Sequence, residues 1–327
     1  MREITFGEAI VEALWEEMSR DERVFLMGED VGPFGMVYIA NPKLWREFGE
    51  DRIRDAPISE GAIVGFALGA AITGMRPVAE LMFCDLLPLA MDQIVNQTAK
   101  IRYMFGGNIR VPLVIRTTIG GLRRAAAQHS QSLEAWFTHV PGLKIAIPSS
   151  PYAAKGLLKT AIRDDNPVLF FEHQQLMRTK GPVPEEEYLL PFGQAEVVRE
   201  GKDLTVVATS LMLTRVLNAA KELETQGISI EVIDPRTLMP FDKDTILASV
   251  QKTGRLLIVH QACKTSGFGA EIAAIVAEEG FESLISPIRR LGSLDVPVPF
   301  SPKLEDFVVP TEQRIVREVL DILQASG

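Results

Sequence analysis

Short apolar runs alternate with helical patterns along this chain, and the alternation breaks only once, between residues 174 and 198. The runs at 23–27, 77–82, 112–118, 143–147 and 167–172 are continuous rather than alternating, as in strands covered on both faces. Helical spacing fills 4–18, 61–72, 86–103, 130–139 and 151–163. A second series has strands at 204–208, 230–233, 256–259 and 287–291, with helices at 213–226, 243–251, 269–279 and 311–323. Strand–helix alternation of this kind implies parallel sheets layered with helices. The break gathers Gly181, Pro182, Pro184, Glu185, Glu186, Glu187 and Pro191, the composition of an interdomain linker. The expected fold is therefore α/β, with two doubly wound domains at 1–185 and 201–327 joined by a linker at 186–200. The segment 31–38, with Gly32, Pro33 and Gly35, is expected to be irregular.

Composition removes several classes of function. Apolar residues make up 46% and charged residues 24%, so the chain is globular rather than disordered or fibrous. The net charge of −9 lacks the basic footprint of a nucleic-acid binder and suits a basic protein partner. The most apolar stretch, 61–72, is too short to span a bilayer, so no membrane association is expected. Two distant cysteines, Cys84 and Cys263, cannot form a disulfide framework. The acidic first residues contain no apolar signal segment, and a cytoplasmic location is expected.

Among chemistry-bearing residues, Glu60 opens the Gly- and Ala-rich helix. An acid in a first helical turn is favoured by the macrodipole alone. The functional alternative is a carboxyl in an apolar wall, poised to share a proton. His129 lies at a loop-to-helix junction after Arg123 and Arg124, as a cap or as an exposed proton donor. His139, His173 and His260 are assigned to structure, and His260 with Cys263 lacks the further ligands that zinc needs. Gly267-Phe268-Gly269 is too short a glycine motif to mark a phosphate loop. No G-x-S-x-G elbow is present. Residues 163–167 form either a simple turn or a small cation site built from carbonyls with Asp164 and Asn166.

Longer segments carry a resemblance: GEDVG (28–32), DAPISEGAIVGFALGAAITGMRPVAELMF (55–83), DQIVNQTAKIRYMFGG (92–107), AAQHSQSLEAWF (126–137), PGLKIAIPSSPYAAKGLL (141–158) and VPVPFSPKLED (296–306). Together they resemble the beta subunit of the thiamine-diphosphate-dependent first component of 2-oxo acid dehydrogenase complexes, over essentially the whole chain. The resemblance implies a pyrimidine-binding thiamine-enzyme domain followed by a transketolase C-terminal-like domain. It implies that Glu60 hydrogen-bonds a nitrogen of the cofactor's aminopyrimidine ring, favouring the imino tautomer that deprotonates the thiazolium carbon. Glu29, Met82 and Leu86 match the surroundings of that ring, with Leu86 where pyruvate-type members carry an aromatic residue. His129 matches a histidine that serves the covalent intermediate and the lipoyl acceptor. Ala161, Asp164 and Asn166 match a structural monovalent-cation site, a possible K+.

The chain contains no Gly-Asp-Gly segment for the magnesium ion that holds the diphosphate. A buried diphosphate without a cation is too costly. Mg2+ and the second half of the site are therefore expected from an alpha subunit, in an α2β2 heterotetramer. Further expected partners are the subunit-binding and lipoyl domains of the acyltransferase core. Docking of the basic subunit-binding domain is expected on Glu278, Glu279, Glu282, Asp295, Glu305 and Asp306. Pyruvate is the first choice of substrate. The segments AELMF, RYMFGG and IRTT resemble acetoin dehydrogenase members, and DQIVN and HQA resemble branched-chain members. A non-catalytic scaffold subunit would not need Glu60 with His129. A self-sufficient transketolase-like synthase would need Gly-Asp-Gly and a third domain.

Overall fold

A computed structural model of the chain describes residues 1–36, 39 and 41–324. Val37 and Tyr38, within the segment expected to be irregular, lie outside the described residues. The chain divides into two compact units. The first comprises Met1–Ile119 and Trp136–Phe192, and the second comprises Gly120–Ala135 and Gly193 onward. The division after Phe192 falls inside the expected linker at 186–200. That the loop Gly120–Ala135 groups with the second unit has no signal in the sequence.

The first unit contains β1 (Arg2–Thr5), β2 (Val24–Gly28), β3 (Ile53–Asp55), β4 (Arg76–Phe83), β5 (Val114–Ile119), β6 (Lys144–Ala146), β7 (Val168–His173) and β8 (Lys180–Val183). Strands β2 to β7 run parallel in the order β6-β7-β5-β4-β2-β3. Every residue of β2, β5 and β7 is buried, which is why these segments read as unbroken apolar runs. The Phe6–Arg20 helix starts at a capping box. The Thr5 hydroxyl accepts the Glu8 N–H, and the Glu8 carboxylate accepts the Thr5 N–H at 2.7 Å. It packs against the Pro151–Arg163 helix, where buried Lys155 and Lys159 are ion-paired with Glu16 at 2.6 and 2.5 Å.

Two expectations in this unit need correction. Residues 86–103 do not form one helix. They form a 3₁₀ segment, Cys84–Ala90, a π-helical segment, Asp92–Thr98, and one α-turn, Ile101–Met104. Pro88 lacks the N–H that a regular helix requires, so the chain takes a tighter turn there. The segment 174–198 is not irregular throughout, because β8 pairs antiparallel with β1, Arg2 opposite Val183. Its partner lies at the other end of the unit's sequence, so no local pattern announces it.

The second unit contains β9 (Glu196–Arg199), β10 (Leu204–Ala208), β11 (Ile230–Asp234), β12 (Thr237–Met239), β13 (Leu256–Cys263) and β14 (Arg289–Ser293). Its sheet has the order β14-β13-β10-β11-β9, parallel except for β9 at the edge. The Leu211–Glu224 and Glu312–Gln324 helices pack together on this sheet. The Lys243–Thr253 and Gly269–Glu279 helices form a second such pair. Val206, Val232, Leu257 and Val259 from the strands and Val216, Ala220, Ile315 and Val319 from the helices build one apolar core. The helix expected at 130–139 is confined to Glu134–Thr138, and a further helix, Pro302–Val308, follows β14.

Candidate active site

In parallel α/β sheets, ligands bind beyond the carboxyl ends of the strands. In the first unit that edge carries most of the expected site residues. Strand β2 ends at Gly28, where a Cβ would lie 2.6 Å from the Glu80 carbonyl oxygen; only glycine allows β2 and β4 to approach so closely. Glu29 follows directly and is buried. Glu60, the first residue of the Glu60–Ile72 helix, is also buried. The two carboxyls act on each other. Burial foremost, then the Glu60 charge, raises the Glu29 carboxyl above the ordinary carboxylate range, although Glu29 also accepts the Ser59 N–H. Among the described residues no basic side chain is ion-paired with either carboxyl.

Met82 lies near the end of β4, half-buried, and its carbonyl accepts the Thr118 hydroxyl. Leu86 is half-buried in the 3₁₀ segment that follows. Met82 lines a narrow crevice with Glu80, Arg116, Thr118 and Glu172. Inside it, Arg116 grips Glu172 with two nitrogens at 2.7 and 2.9 Å and Glu80 with a third at 2.7 Å. Burial pushes the Glu80 carboxyl up to about 7, against the pull of Arg116. This buried triad was missed in the sequence. Its signal is a charged residue set within each of the runs 77–82, 112–118 and 167–172.

His129 belongs to the second unit. It is exposed on a loop whose base is closed by the Gly120 N–H bonding the Gln131 carbonyl at 2.8 Å. Glu134, just beyond, is buried with one carboxyl oxygen unpartnered, and burial pushes it up to about 7. His173 and His260, assigned to structure in the sequence, are both buried. His173 Nδ1 accepts the Gln175 N–H at 3.1 Å. The His260 ring is buried, and a Cβ on Gly267 or Gly269 would lie 2.6 Å from it. The glycines of that short motif thus make room for an imidazole, not for a phosphate.

Ala161, Asp164 and Asn166 lie together at the C-terminal end of the Pro151–Arg163 helix. Their oxygens are engaged. The Asp164 carboxylate accepts Lys144 and the Asn166 N–H, and Asn166 Oδ1 accepts Arg102 at 2.6 Å. Arg76 takes the Ile162 and Asp164 carbonyls, both at 2.8 Å, and the Ala161 carbonyl accepts the Asp164 N–H at 3.2 Å. Among the described residues no cluster of three or more His, Cys, Asp and Glu is arranged for a metal ion.

The acids expected on a docking rim divide. Glu278, Glu279, Glu282, Asp295 and Asp306 are exposed. Glu305 is fully buried and ion-paired with Arg124, which removes it from any rim. Among the described residues no helix is long and apolar enough to cross a membrane.

Two buried carboxyls, Glu29 and Glu60, thus stand at the carboxyl-end edge of the first unit's sheet. Residues 2–180 match the transketolase pyrimidine binding domain, and residues 193–315 match the transketolase C-terminal domain. The chain is 46% identical to the acetoin:2,6-dichlorophenolindophenol oxidoreductase subunit beta of Bacillus subtilis, over 98% of each chain. It is 46% identical to the pyruvate dehydrogenase E1 component subunit beta of Gracilaria tenuistipitata var. liui, over 99% of this chain and 100% of that one. It is 45% identical to the 2-oxoisovalerate dehydrogenase subunit beta of Bacillus subtilis, over 96% and 97%. A solved structure of a split-gene transketolase, an inactive beta4 tetramer, shares the fold with a TM-score of 0.80 over 99% of each chain at 23% identity. The chain therefore belongs to the beta subunits of the thiamine-dependent first components of 2-oxo acid and acetoin dehydrogenases.

Proposed function

We propose that this chain supplies the aminopyrimidine half of a thiamine diphosphate site completed by an alpha subunit in an α2β2 heterotetramer, with pyruvate as substrate. The observation that supports this is the buried Glu29 and Glu60 carboxyls in a sequence without a Gly-Asp-Gly segment. Thiamine diphosphate, when bound, supplies the nucleophilic carbon and the electron sink for decarboxylation. Glu60 would hydrogen-bond the ring nitrogen when the cofactor is bound, and Glu29 would stand beside it as a second buried carboxyl. Met82 and Leu86 offer apolar surface that excludes water from the ring. His129 presents an exposed imidazole that would serve the lipoyl acceptor. Mg2+ enters with the alpha subunit. A potassium ion at Ala161, Asp164 and Asn166 requires Arg76 and Arg102 to release the oxygens they hold.

Acetoin is the second reading, favoured by the relative with that activity at 46% identity. The test is co-expression with an alpha subunit and comparison of kcat/KM for pyruvate, acetoin and 2-oxoisovalerate. Pyruvate is expected to lead; a lead of tenfold or more for either rival reassigns the substrate.

Acyl transfer implies docking on an acyltransferase core, through its subunit-binding and lipoyl domains. The exposed acids Glu278, Glu279, Glu282, Asp295 and Asp306 are the proposed rim for a basic subunit-binding domain.

A further inference from the structure

The loop that carries His129 is held by a carboxylate from a distant part of the sequence. Glu305 lies on the Pro302–Val308 helix and is fully buried. It accepts the backbone N–H of Leu122 at 2.5 Å and the Arg124 guanidinium at 2.8 Å. Asp306 takes a second nitrogen of Arg124 at 3.1 Å, and the Pro302 carbonyl accepts Arg124 at 3.0 Å. All of these groups belong to the second unit. Gly121 directly precedes the first gripped residue, and a Cβ there would sit 2.8 Å from Glu305 Oε1. The absence of a side chain at 121 is what lets the carboxylate reach the loop.

The backbone explains why the loop needs such a grip. Leu122, Arg124 and Ala126 are left-handed, with φ of 74°, 61° and 60°. Residues with a Cβ avoid this region, and they stay there only where their surroundings over-determine them. Two of the three are the residues that Glu305 holds. At the other end the loop is closed by the bond from Gly120 to Gln131. His129 thus rides on a segment pinned at its base and at its strained tip.

We propose that Glu305 is a positioning residue, clamping the 120–131 loop through the Leu122 N–H and Arg124 so that His129 is presented to the reaction. The proposal rests on the reading of His129 as a residue of the active site. A purely structural role would leave the loop no more dependent on Glu305 than the rest of its unit.

The test uses the full chain assembled with its alpha subunit, with Glu305→Gln, Gly121→Ala and His129→Ala compared with wild type. Glu305→Gln is expected to raise hydrogen–deuterium exchange in residues 120–131 about tenfold or more while leaving β10 and β13 unchanged. Its kcat is expected to fall roughly 10–100-fold with thiamine diphosphate affinity retained. Gly121→Ala, which keeps the carboxylate but crowds it, is expected to show a smaller change of the same kind. Unchanged exchange in the loop, or an equal rise across the whole second unit, overturns the proposal. So does a loosened loop with unchanged kcat. Full activity of His129→Ala would remove the reading beneath the proposal. An inactive His129→Ala with an unaltered loop in Glu305→Gln overturns the clamp alone.

Discussion

At the scale of single residues, environment decides what each carboxyl does. Glu60 and Glu29 are both buried, and burial together with the Glu60 charge raises the Glu29 carboxyl above its ordinary range. Glu60→Gln removes that acid while keeping the shape. In the assembled enzyme it is expected to lower kcat by about 10²–10⁴ with assembly intact, measured by steady-state kinetics and sedimentation. Wild-type turnover would leave Glu60 as a helix-start acid and nothing more. Glu134 is buried alone, with one oxygen unpartnered, and burial pushes it from 4.5 up to about 7. A raised pKa stabilises the fold fully below the unfolded value, and that contribution is lost as pH rises through about 7. Glu134→Gln is therefore expected to raise the thermal midpoint at pH 8 by several degrees, on the order of 1–3 kcal/mol, and to leave it nearly unchanged at pH 5. An equal shift at both pH values would show that the charge is not the cause. Glu60 and His129 were legible because they sit in long segments shared with a family. Glu134 sits in one of those segments too, yet its burial depends on how the loop folds against its unit, which spacing along the chain does not report.

At the scale of elements, Arg116 ties together β4, β5 and β7 where the sheet meets the site. Removing it leaves Glu80 and Glu172 buried without a partner. Arg116→Met is expected to cost about 3–5 kcal/mol at pH 8. At pH 5 the loss should be smaller, because Glu80, pushed up to about 7 by burial, then takes up a proton. Denaturant midpoints at the two pH values measure this, and a loss independent of pH would contradict the triad's role. The strands themselves were legible, since burial on both faces writes an unbroken apolar run. Residues 86–103 were misjudged because helical spacing outweighed Pro88, whose missing N–H forces a 3₁₀ start. β8 was hidden because its partner β1 stands at the far end of the unit's sequence. The Pro302–Val308 helix escaped because its exposed Leu304 and Phe307 blur the apolar stripe that marks a helix.

At the scale of the molecule, two α/β units supply the fold of a thiamine-enzyme subunit. The exposed acids of the second unit lead to one expectation about assembly. Affinity for the acyltransferase core should fall steadily as ionic strength rises, in equilibrium binding measurements. A flat salt dependence would rule out docking through Glu278, Glu279, Glu282, Asp295 and Asp306. The central claim is the split site, and calorimetry tests it most directly. Thiamine diphosphate with magnesium is titrated into this chain alone and then into the chain assembled with its alpha subunit. The chain alone is expected to bind weakly, with a Kd at least about 100-fold above that of the assembly. Equally tight binding by the chain alone would contradict it.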